Sequence, residues 1–188
     1  MNYFSTLSPA YAEIFLLFMV CTILIVDLFT PGKTRTITYL LVQLTLMGSS
    51  LITVATHVSG VAHLFNNMFV DDLMSDVLKL LTFLSVSMML VYSRSYLLTR
   101  GLFTGEFLSL ALFATLGMSV MISASNFVTL YLWLEVLALS LYAMVALQRD
   151  SAVATESAMK YFILGAMASG FLLYGMSMIY GATGSLDV

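Results

Sequence analysis

Charge is scarce in this sequence. Of its 188 residues only 9% are Asp, Glu, Lys or Arg and 61% are hydrophobic, whereas soluble domains carry about 25% charged residues. The mean hydropathy of +1.01 excludes a water-soluble globule. The net charge is −3 and no basic patch is present, which argues against a nucleic-acid partner. The single cysteine, Cys21, lies in an apolar run; it can form no internal disulfide and is predicted to be a packing residue.

Signatures of cofactor chemistry are also missing. The sequence has no CxxC pair, no His/Cys cluster and no glycine-rich phosphate loop. His57 and His63 flank the second predicted loop without partners at ligand spacing, so we expect interfacial histidines rather than a metal site. The N-terminus has no basic region of the kind found in secretory signal peptides, and its first apolar run is long enough to span a membrane.

Long apolar runs dominate what is present. Several reach the ~20 residues needed to cross ~30 Å of hydrocarbon, which predicts an all-α, polytopic membrane bundle of about six transmembrane helices. Thr30-Pro31-Gly32 is a strong turn signal, and Asp150 or Ser151 can cap the last helix. The predicted helices are Ala10–Phe29, Ile37–His57, Leu73–Tyr92, Phe107–Ser123, Phe127–Leu147 and Ala152–Tyr180.

The basic residues of the loops fall on one side of the predicted bundle. All five lie in odd-numbered loops: Lys33, Arg35, Arg94, Arg100 and Arg149. Because basic loops stay on the cytoplasmic side, we expect the odd loops to be cytoplasmic and the N-terminus to face outside.

Glu135 is the only charged residue between Ser125 and Leu147. It lies about 12–15 Å from either helix end, too deep for a glutamate to reach water by stretching. A carboxyl at that depth is a functional-site hypothesis, a titrating group facing a hydrated cavity; the alternative is a protonated acid that only bonds a neighbouring helix. Tyr131 and Tyr142 share its helical stripe and are candidate hydrogen-bond partners.

Lys160 stands about two turns into the sixth predicted helix, four residues after Glu156 on the same face. It can lean toward the helix N-terminus and pair with Glu156, or it can point into the bundle toward the helix of Glu135. We expect the second, because the other face also looks built for burial. That face carries small residues that permit close helix contact: Ala158, Gly165 and Ser169.

Other charges lie near predicted helix ends. Asp76 and Lys79 are three residues apart at the start of the third helix, which indicates either a local ion pair or an accessory step in a proton path. We expect Glu13 and Asp27 to be solvated.

Two stretches of the sequence carry a family resemblance. The first contains Glu106–Met118, Leu130–Leu132 and Glu135–Tyr142, and the second contains RDSAVATESAMKYF at 149–162, Leu164–Gly175 and Tyr180–Ser185. They resemble subunit N of bacterial proton-pumping NADH:quinone oxidoreductase, respiratory complex I, specifically over residues 106–188 and more weakly before them.

The resemblance implies an antiporter-like fold of about fourteen helices, with two inverted five-helix repeats after three leading helices. Residues 1–188 would then form a single transmembrane domain, with the leading helices at 10–92 and the first three helices of the first repeat at 107–180. We therefore expect a truncated chain. By resemblance Glu135 is the functional glutamate of the fifth helix and Lys160 the lysine of the sixth. Accessory candidates are Glu156, Tyr131, Tyr142, Lys79 and Asp76.

The implied function is proton translocation by a non-redox membrane subunit of an enzyme complex in the bacterial inner membrane. NADH, FMN, iron–sulfur clusters and quinone would belong to the parent complex, and no cofactor is expected in this chain. Its partners would be other membrane subunits and lipid. Two alternatives remain: a subunit of a multisubunit sodium/proton antiporter or membrane-bound hydrogenase, and a passive structural membrane fragment.

Overall fold

A computed structural model of the chain describes residues 7–29, 35–57 and 60–187. Within these ranges a 3₁₀ turn at Ser8–Ala10 leads into a succession of long helices, which confirms the predicted all-α membrane bundle. Each is long and apolar enough to cross a membrane. The helices are α1 (Tyr11–Phe29), α2 (Thr36–Thr56), α3 (Leu73–Thr99), α4 (Gly105–Ile122), α5 (Phe127–Val145) and α6 (Ala152–Thr183).

The predicted boundaries hold to within a few residues, except at the end of α3. This helix continues to Thr99 instead of ending near Tyr92, so the loop before α4 is short. Polar residues after the apolar run do not stop the helix, because Arg94 stacks its guanidinium 4.7 Å from the ring centre of Tyr39 and ties the added turns to α2.

The loop between α2 and α3 contains a β-hairpin that the apolar pattern did not predict. Strand β1 (Ala62–Leu64) pairs antiparallel with β2 (Phe69–Asp71). The turn places Phe65, Asn66 and Asn67 in the left-handed region, with φ of 53°, 55° and 67°. Asparagine tolerates that conformation better than most residues, so the Asn-Asn pair is the sequence signal for this turn.

Polar residues cap the last four helices at their N-termini. The Asp72 carboxylate accepts from the Ser75 amide at 2.8 Å, and the Ser75 hydroxyl completes a capping box at the start of α3. Of the two candidate caps for α6, Ser151 is used. Thr104 and Asn126 cap α4 and α5.

Helix α4 is the centre of the described bundle. In an 18-residue apolar stretch of each helix, 61% of the residues are buried in α4, against 6% in α5 and 6% in α6. The last two helices therefore form the periphery. The buried apolar core joins α1, α2, α3 and α4, through side chains that include Leu16, Val42, Phe83, Leu108 and Leu112. The expectation that α6 is buried on both sides is wrong for the described residues, where only Ala158 and Met176 of α6 are buried.

Two contacts of α4 with other helices depend on a glycine. At Gly117 of α4 the backbone of α5 passes so close that a β-carbon would lie 3.0 Å from the Trp133 carbonyl and the Leu137 nitrogen. At Gly105 the carboxylate of Asp27 occupies the space that a β-carbon would need. Asp27 also accepts from Arg35 and from Thr38, the latter at 3.0 Å, so the expectation that Asp27 is solvated is wrong.

The two ends of the bundle differ in charge. The basic end, where α1 passes to α2, α3 to α4 and α5 to α6, carries Arg35, Arg94, Arg100 and Arg149. Lys33 and the turn at 30–32 lie outside the described residues. The hairpin end is formed by β1, β2, the α4–α5 turn and the end of α6. There the Val70 amide donates to the Ser123 carbonyl at 2.8 Å, and the Phe127 amide donates to that of Leu186 at 2.8 Å.

We predict that Gly117→Ala destabilises the bundle by about 1–3 kcal/mol, the usual cost of overpacking, because a helix backbone cannot move aside. Gly48→Ala is the matched control: its added methyl meets only the ring of Phe15, at 3.0 Å, and a side chain can turn away. The measurement is the thermal unfolding midpoint of the purified protein in detergent. Equal midpoints for the two variants would show that α4 and α5 are not held at backbone contact.

Candidate functional site

The interface between α5 and α6 has a glycine at a point of close contact. Gly165 has no β-carbon, and the phenol oxygen of Tyr142 lies directly against it. The Tyr142 ring packs edge-on against two aromatic rings of α6, with centroid distances of 5.0 Å to Tyr161 and 5.5 Å to Phe162. Ala158 is buried on the same side. The small-residue face of α6 therefore makes the close contact that its composition predicted, and its neighbour is α5.

Glu135 bonds across this interface. The Ser169 hydroxyl of α6 donates to Glu135 Oε1, and both side chains are partly buried. The Tyr131 phenol lies 2.9 Å from the same Ser169 oxygen. The three side chains thus form a continuous line from phenol to hydroxyl to carboxyl, placed about 6–12 Å from the first residue of α5 at 1.5 Å per residue.

This line can hold a proton in two ways. A hydroxyl has one hydrogen and accepts through its lone pairs, so Tyr131 donates to Ser169 while Ser169 donates to an ionised Glu135. When Glu135 is protonated, both hydrogen bonds can reverse their direction. The carboxyl then donates to Ser169, and Ser169 donates to the Tyr131 oxygen. The arrangement therefore stabilises both states of the carboxyl and links the change to the Tyr131 end of the line.

Of the three side chains in this line, the sequence singled out Glu135 and Tyr131 but not Ser169. Tyr131, a candidate hydrogen-bond partner of Glu135, bonds Ser169 instead of the carboxyl. Tyr142, on the same stripe, packs against Gly165 and the aromatic rings of α6. Ser169 was recognised only as a small residue for close packing; its role as a hydrogen-bond bridge needs the depth of α6 relative to α5, which no single-helix pattern contains.

Lys160 lies on the other side of α6. Its ammonium contacts Glu156 Oε1 at 2.5 Å, and the two side chains are 70% and 65% exposed. Ser169 is nine residues further on, about half a turn away around a 3.6-residue helix, so a lysine at 160 cannot face α5 while Ser169 does. The expectation that the ammonium points toward the helix of Glu135 is wrong, and the pairing with Glu156 is what the structure has.

A second polar centre lies at the hairpin end. Lys79 is 1% exposed; its nitrogen lies 2.8 Å from Glu13 Oε1, 3.4 Å from Asp71 Oδ1 and 4.8 Å from the ring centre of Phe69. Asp76 pairs instead with His57 Nδ1, at 2.7 Å. The local ion pair of Asp76 with Lys79, one of the two possibilities that their spacing left open, is therefore not formed. The expectation that Glu13 is solvated is wrong, because Lys79 folds back between α1 and β2.

Burial raises the pKa of the Asp71 carboxyl, the neighbouring Lys79 ammonium opposes that rise, and the charges of Asp76 and Glu13 add to it. In the part of the chain that the structure describes, no group of three or more His, Cys, Asp or Glu side chains is arranged to hold a metal ion.

Residues 124–188 match the family described as NADH:quinone oxidoreductase/Mrp antiporter, TM. The chain is 61% identical over 181 residues to NADH-quinone oxidoreductase subunit N of Nitrosomonas europaea, covering 96% of this chain and 38% of that protein. It is 59% identical to the subunit N of Thiobacillus denitrificans, covering 95% of this chain and 37% of that protein. The chain thus spans less than two fifths of the length of the curated relatives it matches.

Solved structures share the fold. A chain of respiratory complex I from Thermus thermophilus superimposes with a TM-score of 0.71 at 29% identity, covering 94% of this chain and 38% of that one. A chain of the Mrp complex from a Dietzia species gives a TM-score of 0.70 at 20% identity, covering 100% of this chain and 36% of that one, which shows the fold alone.

The described bundle therefore shares its fold with part of a chain of respiratory complex I. Over nearly all of its own length, the chain is homologous to NADH-quinone oxidoreductase subunit N.

We predict that Ser169→Ala weakens the α5–α6 interface by about 0.6 kcal/mol and at most about 1.7 kcal/mol, the average and the maximum measured for hydrogen bonds between membrane helices. Ser157→Ala is the control, because its hydroxyl bonds only the Val153 carbonyl of its own helix, at 2.8 Å. Thermal unfolding of the two purified variants makes the comparison. If Ser169→Ala is no less stable than Ser157→Ala, the bridge contributes nothing to the interface.

Proposed function

We propose that this chain is part of a proton-translocating membrane subunit of NADH:quinone oxidoreductase, complex I, in the bacterial inner membrane. The observation that carries the proposal is Glu135, a carboxyl inside a membrane helix that is hydrogen-bonded through Ser169 to Tyr131. The homology to subunit N supplies the parent complex. Other membrane subunits and lipid are the partners that this assignment implies, and NADH, FMN, iron–sulfur clusters and quinone belong to the rest of that complex.

The proposed role of Glu135 is to take up and release the transported proton. Low dielectric favours the neutral carboxyl, and a positive charge brought near it favours the carboxylate. Two charges a few ångströms apart interact strongly in such surroundings. A charge change elsewhere in the complex would thus shift the protonation of Glu135, and the line through Ser169 and Tyr131 would carry the proton one step along α5.

We further propose that Lys160 and Glu156 form an additional charged step in the proton path. This role requires that the rest of the protein cover the face of α6 that carries them. Lys160 is about 12 Å from the start of α6, and an exposed ion pair at that depth is unstable in lipid. The face that carries it must therefore meet protein or water. The relatives are more than twice as long as this chain, so their remaining length can supply that cover.

Orientation is inferred from charge. Arg35, Arg94, Arg100 and Arg149 all gather at the basic end, so we place that end in the cytoplasm and the N-terminus outside.

The second candidate is a subunit of a sodium/proton antiporter of the Mrp type. The shared fold and the family description favour it. The identity of 61% to subunit N against 20% to the Mrp chain favours complex I.

For Glu135→Gln we predict an assembled complex whose proton pumping falls at least about a hundredfold, the lower range for loss of a positioned proton-transfer group. Glutamine keeps the size and the acceptor for Ser169 but cannot titrate. Glu106→Gln is the control, since it removes a carboxylate from an exposed ion pair with Arg149 at 3.5 Å, and such pairs contribute little. Pumping is measured in proteoliposomes with a pH-sensitive dye. Normal pumping by assembled Glu135→Gln protein would contradict the proposed role of Glu135 and favour the alternative of a passive structural membrane fragment.

For Lys160 the informative change keeps the charge. Lys160→Met should slow pumping without preventing assembly, and Lys160→Arg should slow it as well, because a guanidinium hardly deprotonates. The same proteoliposome assay applies, with assembly checked on native gels. Full activity of Lys160→Arg would make Lys160 a fixed partner of Glu156 and remove it from the proton path.

A further inference from the structure

The second polar centre at the hairpin end is separate from the line of Glu135, Ser169 and Tyr131. Five titratable side chains meet there from four segments: Glu13 of α1, His57 after α2, Asp71 of β2, and Asp76 and Lys79 of α3. Four of them are almost wholly buried, while the His57 side chain is 41% exposed. Nearby Asp72 is engaged as the cap of α3, and His63 on β1 is exposed. We call the five side chains the hairpin-end cluster.

The cluster has more acids than bases. Three carboxylates and one ammonium give a net charge of −2 with a neutral imidazole (−3 + 1), and −1 with an imidazolium (−3 + 2). A buried charge without a counter-charge is costly, and the usual outcome is that the group neutralises. The charge balance therefore favours uptake of a proton by one of the buried carboxyls.

Glu13 has few partners for a buried carboxyl. Its Oε1 lies 2.8 Å from the Lys79 ammonium, and among residues 7–29, 35–57 and 60–187 no group donates a hydrogen bond to its Oε2. A buried carboxylate normally accepts several. Protonation removes the charge that these missing donors would have stabilised.

We propose that the hairpin-end cluster is a proton-binding site that exchanges with the aqueous phase through His57. Water delivers a proton to Nε2 of the exposed imidazole, and the proton on Nδ1 passes to Asp76 Oδ2 at 2.7 Å. Asp76 is on the same face of α3 as Lys79, and its charge acts on Asp71. The bound proton therefore neutralises one of the three carboxyls around the Lys79 ammonium and lowers the negative charge of the whole cluster.

The rival explanation is a static ion pair in which Lys79 only fastens the hairpin to α1 and α3. The two explanations differ in protonation at neutral pH. A proton-binding cluster contains a neutral carboxyl there, whereas a static ion pair contains carboxylates alone. The distinction does not depend on what the whole protein transports, so this inference stands apart from the proposed function.

Infrared difference spectroscopy of the purified membrane assembly, with the full-length subunit, tests the proposal. We expect a protonated-carboxyl C=O band at neutral pH that disappears in Glu13→Gln or in Asp71→Asn. Absence of a band that either change removes would overturn the proposal. Should one of these buried variants fail to assemble, the other gives the same answer.

Exchange kinetics test the route. On transfer to D₂O the band should shift at least about tenfold more slowly in His57→Gln, because a positioned proton-transfer group has been lost. His63→Gln, an exposed histidine on the same hairpin, should exchange at the wild-type rate. Equal rates in the two variants would refute the role of His57, and this surface change carries little risk to folding.

Discussion

Hydrocarbon contains no hydrogen-bond partners, so every polar group that this chain carries into the membrane must be satisfied by the protein itself. The helices satisfy their backbones, and most hydroxyls follow by bonding the carbonyl one turn back. Thr45 bonds Leu41 at 2.7 Å and Thr115 bonds Ala111 at 2.7 Å. These side chains are buried yet make no demand on a neighbouring helix.

A few polar side chains bond across helices instead, and these fix how the helices are arranged. The Ser87 hydroxyl of α3 donates to Gln43 Oε1 of α2 at 2.6 Å, and the Gln43 amide returns a bond to the Ser87 carbonyl at 3.3 Å. Asp27 joins the end of α1 to the start of α2 and lies over Gly105 of α4. Each such bond forms in only one relative position of the two helices. In any other position its polar groups would be left unpaired in an apolar medium, so the bond fixes that position.

The acids show three solutions to the same constraint. At the basic end, Asp27 has a cation and a hydroxyl. At the hairpin end, three acids share Lys79 and His57, and the deficit of positive charge makes the cluster responsive to protons. Among the described residues, the hydrogen-bond partner of Glu135 is the Ser169 hydroxyl, with the Tyr131 phenol behind it. The three cases thus differ in how much positive charge lies beside the acid.

The sequence by itself determined the class of protein and the position of the helices, because apolar length and capping are local properties. Glu135 could be singled out for the same reason: a carboxyl far from both helix ends is unusual whatever surrounds it. The partners could not be predicted in this way. Lys79 was expected to pair locally and instead reaches Glu13, more than sixty positions away in the chain. Lys160 was expected to face α5, but the face that meets α5 is the one with Gly165 and Ser169. Which face of a helix meets which neighbour depends on the rotation and depth of both helices, and only the packed bundle sets those.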